Sequence, residues 1–486
     1  MTEVFERALG DILARVSRSI SERTDVSSPS FSAVADTTAP LPGAVSDPAQ
    51  LASIAIAYSG GLDSAVLLHL AHQYAITHGI RLFAFHVHHG ISPNADAWRE
   101  HCRHEAEQLG IVFASRQIDL AQDDKSGIEE AARLQRYAAL GDLCRIHDVS
   151  LLLTAHHLDD QAETVLLQLL RGSGVAGLSG MDIVNFAPDL LANPDLMMAR
   201  PLLTVARNDL EAVMRERHLA TIDDESNRDP RYARNALRHN VMPALAQFFP
   251  GFQQRFARSA QHAQSAQRLL IELAQQDLAD CLDGACLNIT RLKRLSADRS
   301  YNLLRYWFGT RGLRMPSSAW LSELCAQLFE ARADAQLCVT HPDCHIRRHQ
   351  DRIFITPRLD DDELNQAPLA FCWDGAPQIH FAAYRGTLHF EADQEGVSSA
   401  WLRAQSLLMR YRQGGERLKL AANRPTKSLK YHYQAFDVPA WERERLPMVT
   451  TQAGVLLFAA GIGMDCHHLS TAAGPHIRLR WQPNSL

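Results

Sequence analysis

The chain has 486 residues, too many for one ordinary hydrophobic core, so roughly two to four domains are expected. Its 46% hydrophobic and 21% charged residues are ordinary for a soluble globular protein, and no apolar run reaches the ~18 residues of a membrane span. A net charge of −6 weighs against nucleic-acid binding by the chain as a whole. In chain order, residues 3–21 have the spacing of a short amphipathic helix. Residues 26–50, rich in Ser, Ala, Pro, Thr and Asp, read as a flexible leader, so 1–50 is set apart as a leader segment. Glu3, Glu6 and Asp11 interrupt any signal-peptide core, which predicts a cytoplasmic location. From Leu51 the pattern alternates: strand 51–58, helix 64–77, strand 81–88, helix 95–109, strand 111–118, helix 127–147, strand 150–155 and helix 158–170. This predicts an α/β domain over 51–204 built on a doubly wound parallel sheet. Ligands of such sheets sit beyond the carboxyl ends of the strands, where the loops 59–64, 86–94 and 154–160 fall. Residues 205–335 read as a helical domain and 336–486 as a C-terminal region with short β-type runs, α+β in character. The nine cysteines form no C-x-x-C pair, which argues against a zinc ribbon or a dithiol site.

The most informative segment is Ser59-Gly60-Gly61-Leu62-Asp63-Ser64, between the apolar strand Ile54–Tyr58 and a helix. Two glycines let backbone approach an anion, the free N–H groups of a helix start point at it, and two serines add hydroxyl donors. No Lys follows the glycines, so this is not the G-x-x-x-x-G-K-[ST] loop. Asp63 beside a phosphate calls for an intervening cation, and Mg²⁺ is the hard ion that suits it.

Further groups are candidates for chemistry or binding. In Thr154-Ala155-His156-His157-Leu158-Asp159-Asp160, a strand ends and a helix opens, which places His156 and Asp160 where they can hold a metal or orient a substrate. The alternative is a simple N-cap by Asp159 with a solvated His156. Arg136, on the helix 127–147, is a candidate for triphosphate contact because a guanidinium matches phosphate geometry. Residues 231–260 carry five arginines and no Asp or Glu, and 401–450 carry ten Lys or Arg against four Asp or Glu. Arg231, Arg234 and Arg238 fall at i, i+3 and i+7, a plausible RNA-backbone face. Either patch can equally be a solvated surface.

The loop 59–64 resembles the PP-loop of ATP pyrophosphatases. Together with Gly127–Tyr137, Thr154–Met181, Arg200-Pro201-Leu202-Leu203, Asp224–Pro243 and Arg410–Pro447, it resembles the tRNA(Ile)-lysidine synthetase family. One departure is visible: His86-Val87-His88-His89-Gly90 stands where the family has an Asp or Asn at the third position, which leaves the role of His88 open. The resemblance implies an ATP-dependent ligase that adenylates the wobble cytidine of the CAU anticodon of tRNA(Ile) and joins L-lysine to it. ATP would lie on Ser59, Gly60, Gly61, Leu62, Asp63 and Ser64, with Mg²⁺ on Asp63. Asp63, His156 and Asp160 would be catalytic, with Arg136 and Arg234 in support. Arg231, Arg238, Arg410, Arg412, Arg417, Lys427 and Lys430 would meet tRNA. The alternative is a PP-loop tRNA thiolase or another adenylating RNA-modification enzyme; thiolation needs reactive cysteines, and the first half of the chain offers only Cys102 and Cys144.

Overall fold

The computed structural model describes residues 1–26, 53–88, 90, 92, 94–118, 128–223, 231, 233–332, 337–358, 367–470 and 474–484. They form two compact units, Met1–Ile271 and Glu272–Leu486.

The first unit is built on a six-stranded sheet in the order β3-β2-β1-β4-β6-β5. Its strands are β1 (Ser53–Ala57), β2 (Arg81–His88), β3 (Val112–Gln117), β4 (Leu151–Leu153), β5 (Val184–Phe186) and β6 (Met197–Ala199). All neighbours are parallel except β5, which pairs antiparallel with β6 at the edge. Alternation with period two sends successive side chains to opposite faces. Ile54, Ile56, Leu82, Ala84, Leu151 and Leu153 face helices α1 (Thr2–Val26), α2 (Leu62–His78), α3 (Ala95–Gln108) and α8 (Arg207–Arg217). Ala55, Phe83, Phe85, Leu152 and Met198 face α4 (Ile128–Ile146). The doubly wound layering follows from that split. Helix α5 (Leu158–Leu170) leaves β4, and the short helices α6 (Val175–Leu178) and α7 (Pro188–Leu191) lead to β6.

Helix α1 corrects the reading of 1–50 as a flexible leader. Phe5, Leu9, Ile12 and Val16, spaced four, three and four, form one apolar stripe that is buried in the core shared by β1 and α2. The rest of that segment, 27–52, lies outside the described residues.

Beyond α8 come α9 (Ala233–Ala236), a π-helical turn (Leu237–Val241), α10 (Met242–Phe248) and the long α11 (Phe252–Cys281), which runs through the division between the units. Met242 and Leu245 of α10 and Phe252 and Phe256 of α11 pack on Ala162 and Leu166 of α5.

In the second unit, α13 (Ala297–Gly309) and α14 (Ser318–Glu330) pack through Trp307, Phe308, Leu321 and Leu324. They cover a sheet whose strands are β7 (Leu282–Asp283), β8 (Cys286–Asn288), β11 (Arg352–Pro357), β10 (Cys344–His349) and β9 (Cys338–Thr340), in that order. The stretch 205–335, read as a helical domain, also contains β7 and β8, and β8 pairs with β11 across residue 336. Two- and three-residue strands are too short to show a period. The remaining strands form two antiparallel sheets. One holds β12 (Leu369–Cys372), β16 (Ser406–Arg410), β19 (Met448–Thr451), β20 (Leu456–Ala459) and β21 (Gly463–Met464). The other holds β13 (Gln378–Phe381), β14 (Gly386–Asp393), β22 (His476–Pro483) and β15 (Val397–Ser398). Both contribute to one core around Leu388, Leu407, Met409, Val449, Leu457 and Leu479.

Candidate active site

Between β1 and α2 the chain turns through Gly60, whose φ of +84° lies in the left-handed region. A Cβ there would stand 2.4 Å from Ile222 Cδ1 and 2.9 Å from Cys102 Sγ, so the loop is packed from behind. The Ile222 N–H donates to the Gly60 carbonyl at 2.9 Å. Ser59 Oγ and Ser64 Oγ lie 3.1 Å apart, and Ser64 Oγ donates to the Gly61 carbonyl at 3.0 Å. Gly61 caps α2 without a side-chain hydrogen bond, so the N–H groups of the first turn remain available to an anion.

At the end of β4 the helix cap is His157, not Asp159. Its Nδ1 accepts from the Asp159 and Asp160 N–H groups at 3.2 and 3.4 Å, while Asp160 Oδ2 accepts from the His157 N–H at 3.1 Å. This is a capping box in which an imidazole replaces the usual hydroxyl. A lone pair on Nδ1 puts the proton of the neutral ring on Nε2, which points at Asp160 Oδ2 (3.4 Å) and Asp63 Oδ2 (3.6 Å). Burial disfavours charge on this ring, but the carboxylates of Asp63, Asp160 and Asp159 outweigh it and raise its pKa. Asp159 is committed elsewhere: it accepts from the Arg207 N–H at 2.9 Å and from Gln253 Nε2 at 3.2 Å.

His156 turns the other way. Its Nδ1 sits 2.9 Å from Thr154 Oγ1. The ring is packed among protein atoms with one edge open to the cavity, and burial pushes its pKa down to about 3; Arg200, Arg234 and His157 add to this and Asp160 opposes it. His156 is therefore neutral near pH 7.

One turn along α5 stands Glu163, fully buried. Arg238 reaches it twice (Nε to Oε1 at 2.7 Å, Nη2 to Oε2 at 2.9 Å) and also donates to Asp160 Oδ1 at 2.9 Å. Arg234 Nε donates to Glu163 Oε2 at 3.0 Å, and its Nη2 to Thr164 Oγ1 at 3.3 Å. Against the cost of burial, His157, His156, Arg234 and Arg238 hold the Asp160 carboxyl below its ordinary range. The π-helical turn that follows α9 carries Arg238; an extra residue in a helical turn often re-aims side chains at functional sites.

These parts open on one cavity of about 940 Å³. Ser59, Gly61, Leu62, Asp63 and Ser64 line one side, and His156, His157, Asp160, Glu163 and Arg238 line another. Arg136, His86, His88 and Trp98 complete the wall. His86 Nδ1 lies 3.0 Å from the Tyr58 carbonyl oxygen, and His88 Nε2 lies 3.3 Å from Asp96 Oδ1. Arg136 stacks 5.9 Å from the centroid of Tyr137.

Several expectations change here. Arg238, expected to face RNA, is instead bound to Glu163 and Asp160, because two buried carboxylates require a cation. Arg231 is exposed in a turn before α9; residues 224–230 and Tyr232 lie outside the described residues. In the second unit, Arg410 donates to Glu416 Oε1 at 3.2 Å, and Glu416 is fixed by the Gln413 and Gly414 N–H groups. Arg410 thus braces a turn. Lys427 Nζ lies 5.1 Å from the Tyr431 ring centroid. Arg417, whose Nη2 donates to the Thr426 carbonyl at 2.9 Å, and Lys430 are exposed, and Arg412 is half-buried. The sequence reading did not assign Glu163, His157 or Ile222. Glu163 follows Asp160 by three residues, and Arg238 follows Arg234 by four, so complementary charges at helical spacing were the available signal.

A doubly wound sheet with a glycine loop at the end of its first strand, facing polar groups from a neighbouring strand end, defines a nucleotide-binding domain of the PP-loop class. A PP-loop domain is matched over residues 39–245, a TilS substrate binding domain over 287–354 and a TilS substrate C-terminal domain over 407–481. The tRNA(Ile)-lysidine synthase of Ralstonia nicotianae is 42% identical over 441 residues, covering 89% of this chain and 93% of its own. That of Burkholderia pseudomallei is 40% identical, covering 89% and 94%. The chain belongs to the tRNA(Ile)-lysidine synthase family. Among solved structures, the U34-tRNA thiolase NcsA from Methanococcus maripaludis overlaps 43% of this chain and 70% of its own at 18% identity and a TM-score of 0.36, too slight a likeness to bear on function.

Proposed function

We propose that this chain uses ATP to activate the wobble cytidine of the CAU anticodon of tRNA(Ile) and joins free L-lysine to it. The products are lysidine, AMP and pyrophosphate, and the modified tRNA reads AUA in place of AUG. One observation supports this reading most: an anion-binding loop and a carboxylate–arginine cluster share one cavity large enough for a nucleotide and a second substrate.

In the first step the cytosine O2 attacks the α-phosphorus of ATP and the bond to the β-phosphate oxygen breaks, releasing pyrophosphate. In the second the lysine ε-amine attacks C2, the C2–O bond breaks, AMP leaves and the nitrogen gives up a proton. A carbonyl oxygen is a poor leaving group and AMP a good one, so the protein's task is positioning and charge neutralisation. Ser59, Gly60, Gly61, Leu62 and Ser64 hold the phosphates, and Arg136 meets the triphosphate charge from the facing wall. Asp160 and Glu163, with Arg234 and Arg238 fixing them, suit the ammonium of lysine. Neutral His156 presents a hydrogen-bonding edge to the cytosine; with a pKa near 3 it is too weak a base to take the amine proton. His157 ties Asp63 to Asp160.

Asp63 Oδ1 is buried at the phosphate loop without a hydrogen-bond partner, which fits a hard cation. Asp63 would hold Mg²⁺, which when bound would supply charge neutralisation on the triphosphate. Thiolation is disfavoured by the thiols themselves. Cys102 and Cys144 are buried, and burial pushes both up to about 12, so neither offers a thiolate. No helix among the described residues is long and apolar enough to cross a membrane.

The test is pyrophosphate release from ATP dependent on unmodified tRNA(Ile), followed by transfer of radiolabelled lysine to the RNA. ATP cleavage without label in RNA would reject lysidine formation.

A further inference from the structure

Helix α10 lines the cavity through Met242, Pro243 and Ala246. Phe248 ends this helix and Phe249 caps it, its N–H still bonding the Leu245 carbonyl at 2.8 Å. Phe248 is 72% exposed, the highest value for a large apolar side chain among the described residues, and Phe249 is 58% exposed. The local fold does bury phenylalanine when it needs to. Phe252, after the Pro250–Gly251 turn, is buried and meets Phe256 edge to face at 5.4 Å. Two adjacent exposed rings at the end of a helix that lines the substrate cavity call for a partner.

The surrounding charge selects that partner. From 231 to 260 the sequence has no Asp or Glu, and Arg255 and Arg258, on the first turns of α11, are exposed. An apolar ring pair within a cationic, acid-free stretch matches unpaired nucleotides, whose bases stack on aromatic faces while their phosphates meet arginines.

We propose that Phe248 and Phe249 form a stacking platform for the unpaired bases beside the target cytidine, with Arg255 and Arg258 meeting the adjoining phosphates. This rests on the reading that the cavity takes a cytidine from an RNA loop, and it assigns how the neighbouring loop bases are gripped. The platform acts on RNA binding, not on bond making.

The experiment uses the full chain, an anticodon stem-loop of tRNA(Ile) with 2-aminopurine on either side of the target cytidine, and the variants Phe248→Ala, Phe249→Ala, the double variant and Phe249→Trp. The wild-type protein should change the probe's fluorescence on binding. Each alanine should raise KM for RNA about tenfold with kcat held within about twofold, the double variant should abolish the fluorescence change, and Phe249→Trp should keep the wild-type KM. An unchanged KM and an unchanged probe signal in the double variant, with lysine transfer intact in the wild type, overturn the platform and leave the function standing. A wild-type dimer that the double variant dissolves, with KM for RNA unmoved, overturns it in favour of self-association. If the wild type transfers no lysine to any RNA, the function fails and the platform with it.

Discussion

His156 and His157 are neighbours in sequence yet titrate in opposite directions. The unfolded His156 ring takes a proton below about pH 6.5, whereas the folded ring takes one only near 3. Between those values the unfolded state binds more protons, so stability rises with pH across that window and is lost as pH falls. Replacing His156 by Gln should flatten the dependence of the melting temperature on pH between about 4 and 6.5 relative to wild type; parallel curves would place His156 outside this linkage. For His157 the sign is reversed: its raised folded pKa gives a contribution complete below the unfolded value and lost as pH climbs through the folded one. Asp63 carries the second residue-scale prediction. Asp63→Asn should lower tRNA-dependent pyrophosphate release by a factor on the order of 100 or more while the melting temperature holds, since preorganised charge at a phosphoryl site contributes on that scale. At this scale the sequence was a partial guide. Residue type and loop position pointed to Asp63 and Asp160, and the structure places both on the cavity. The roles of the paired histidines depended on which of them caps α5, and only the backbone angle at residue 157 decides that.

Elements, more than single residues, hold the carboxylate cluster. Glu163 projects from α5, Arg234 from α9 and Arg238 from the π-helical turn, so the cluster joins α5 to the segment that leads into α10. Glu163→Ala leaves two guanidiniums with Asp160 as their one remaining carboxylate beside an empty site, and should cost roughly 2–4 kcal/mol in urea unfolding. Glu163→Gln keeps the shape and should cost less than half of that. Gly60→Ala is the matching test of the phosphate loop. The added methyl meets Ile222 and Cys102 at a positive φ, so about 1–3 kcal/mol of stability should be lost along with ATP affinity. Strand β2 and helix α5 match the sequence reading to the residue, because long alternation and a clear 3.6 period mark them. Strands β5, β7 and β8 have two or three residues each, too few to show a period, and β8 also relies on β11, distant in sequence.

At the scale of the whole molecule the chain forms two compact units, Met1–Ile271 and Glu272–Leu486. A chain ending at residue 400 would leave β12 without β16, and β14 and β15 without β22, exposing two sheet edges. A chain ending near residue 358 avoids this. It should retain magnesium-ATP binding, bind tRNA more weakly and show a shallower dependence of affinity on salt; full RNA affinity in that form would make the cationic residues Arg412, Arg417 and Lys430 a solvated face. The parallel sheet and its functional edge were legible because alternating strands and helices admit few topologies. Helix α1 was misjudged for the opposite reason: its apolar stripe is plain, but nothing local reveals that a distant sheet needs it.

That helix packs on one face of the sheet, in the same core as β1, α2 and α8. A version of the enzyme trimmed to begin at β1 would thus lack a wall and not an ornament. Ile54, Ile56 and Tyr74 would meet water, and the glycine turn mounted on the same strand would lose the rigidity on which phosphate capture depends.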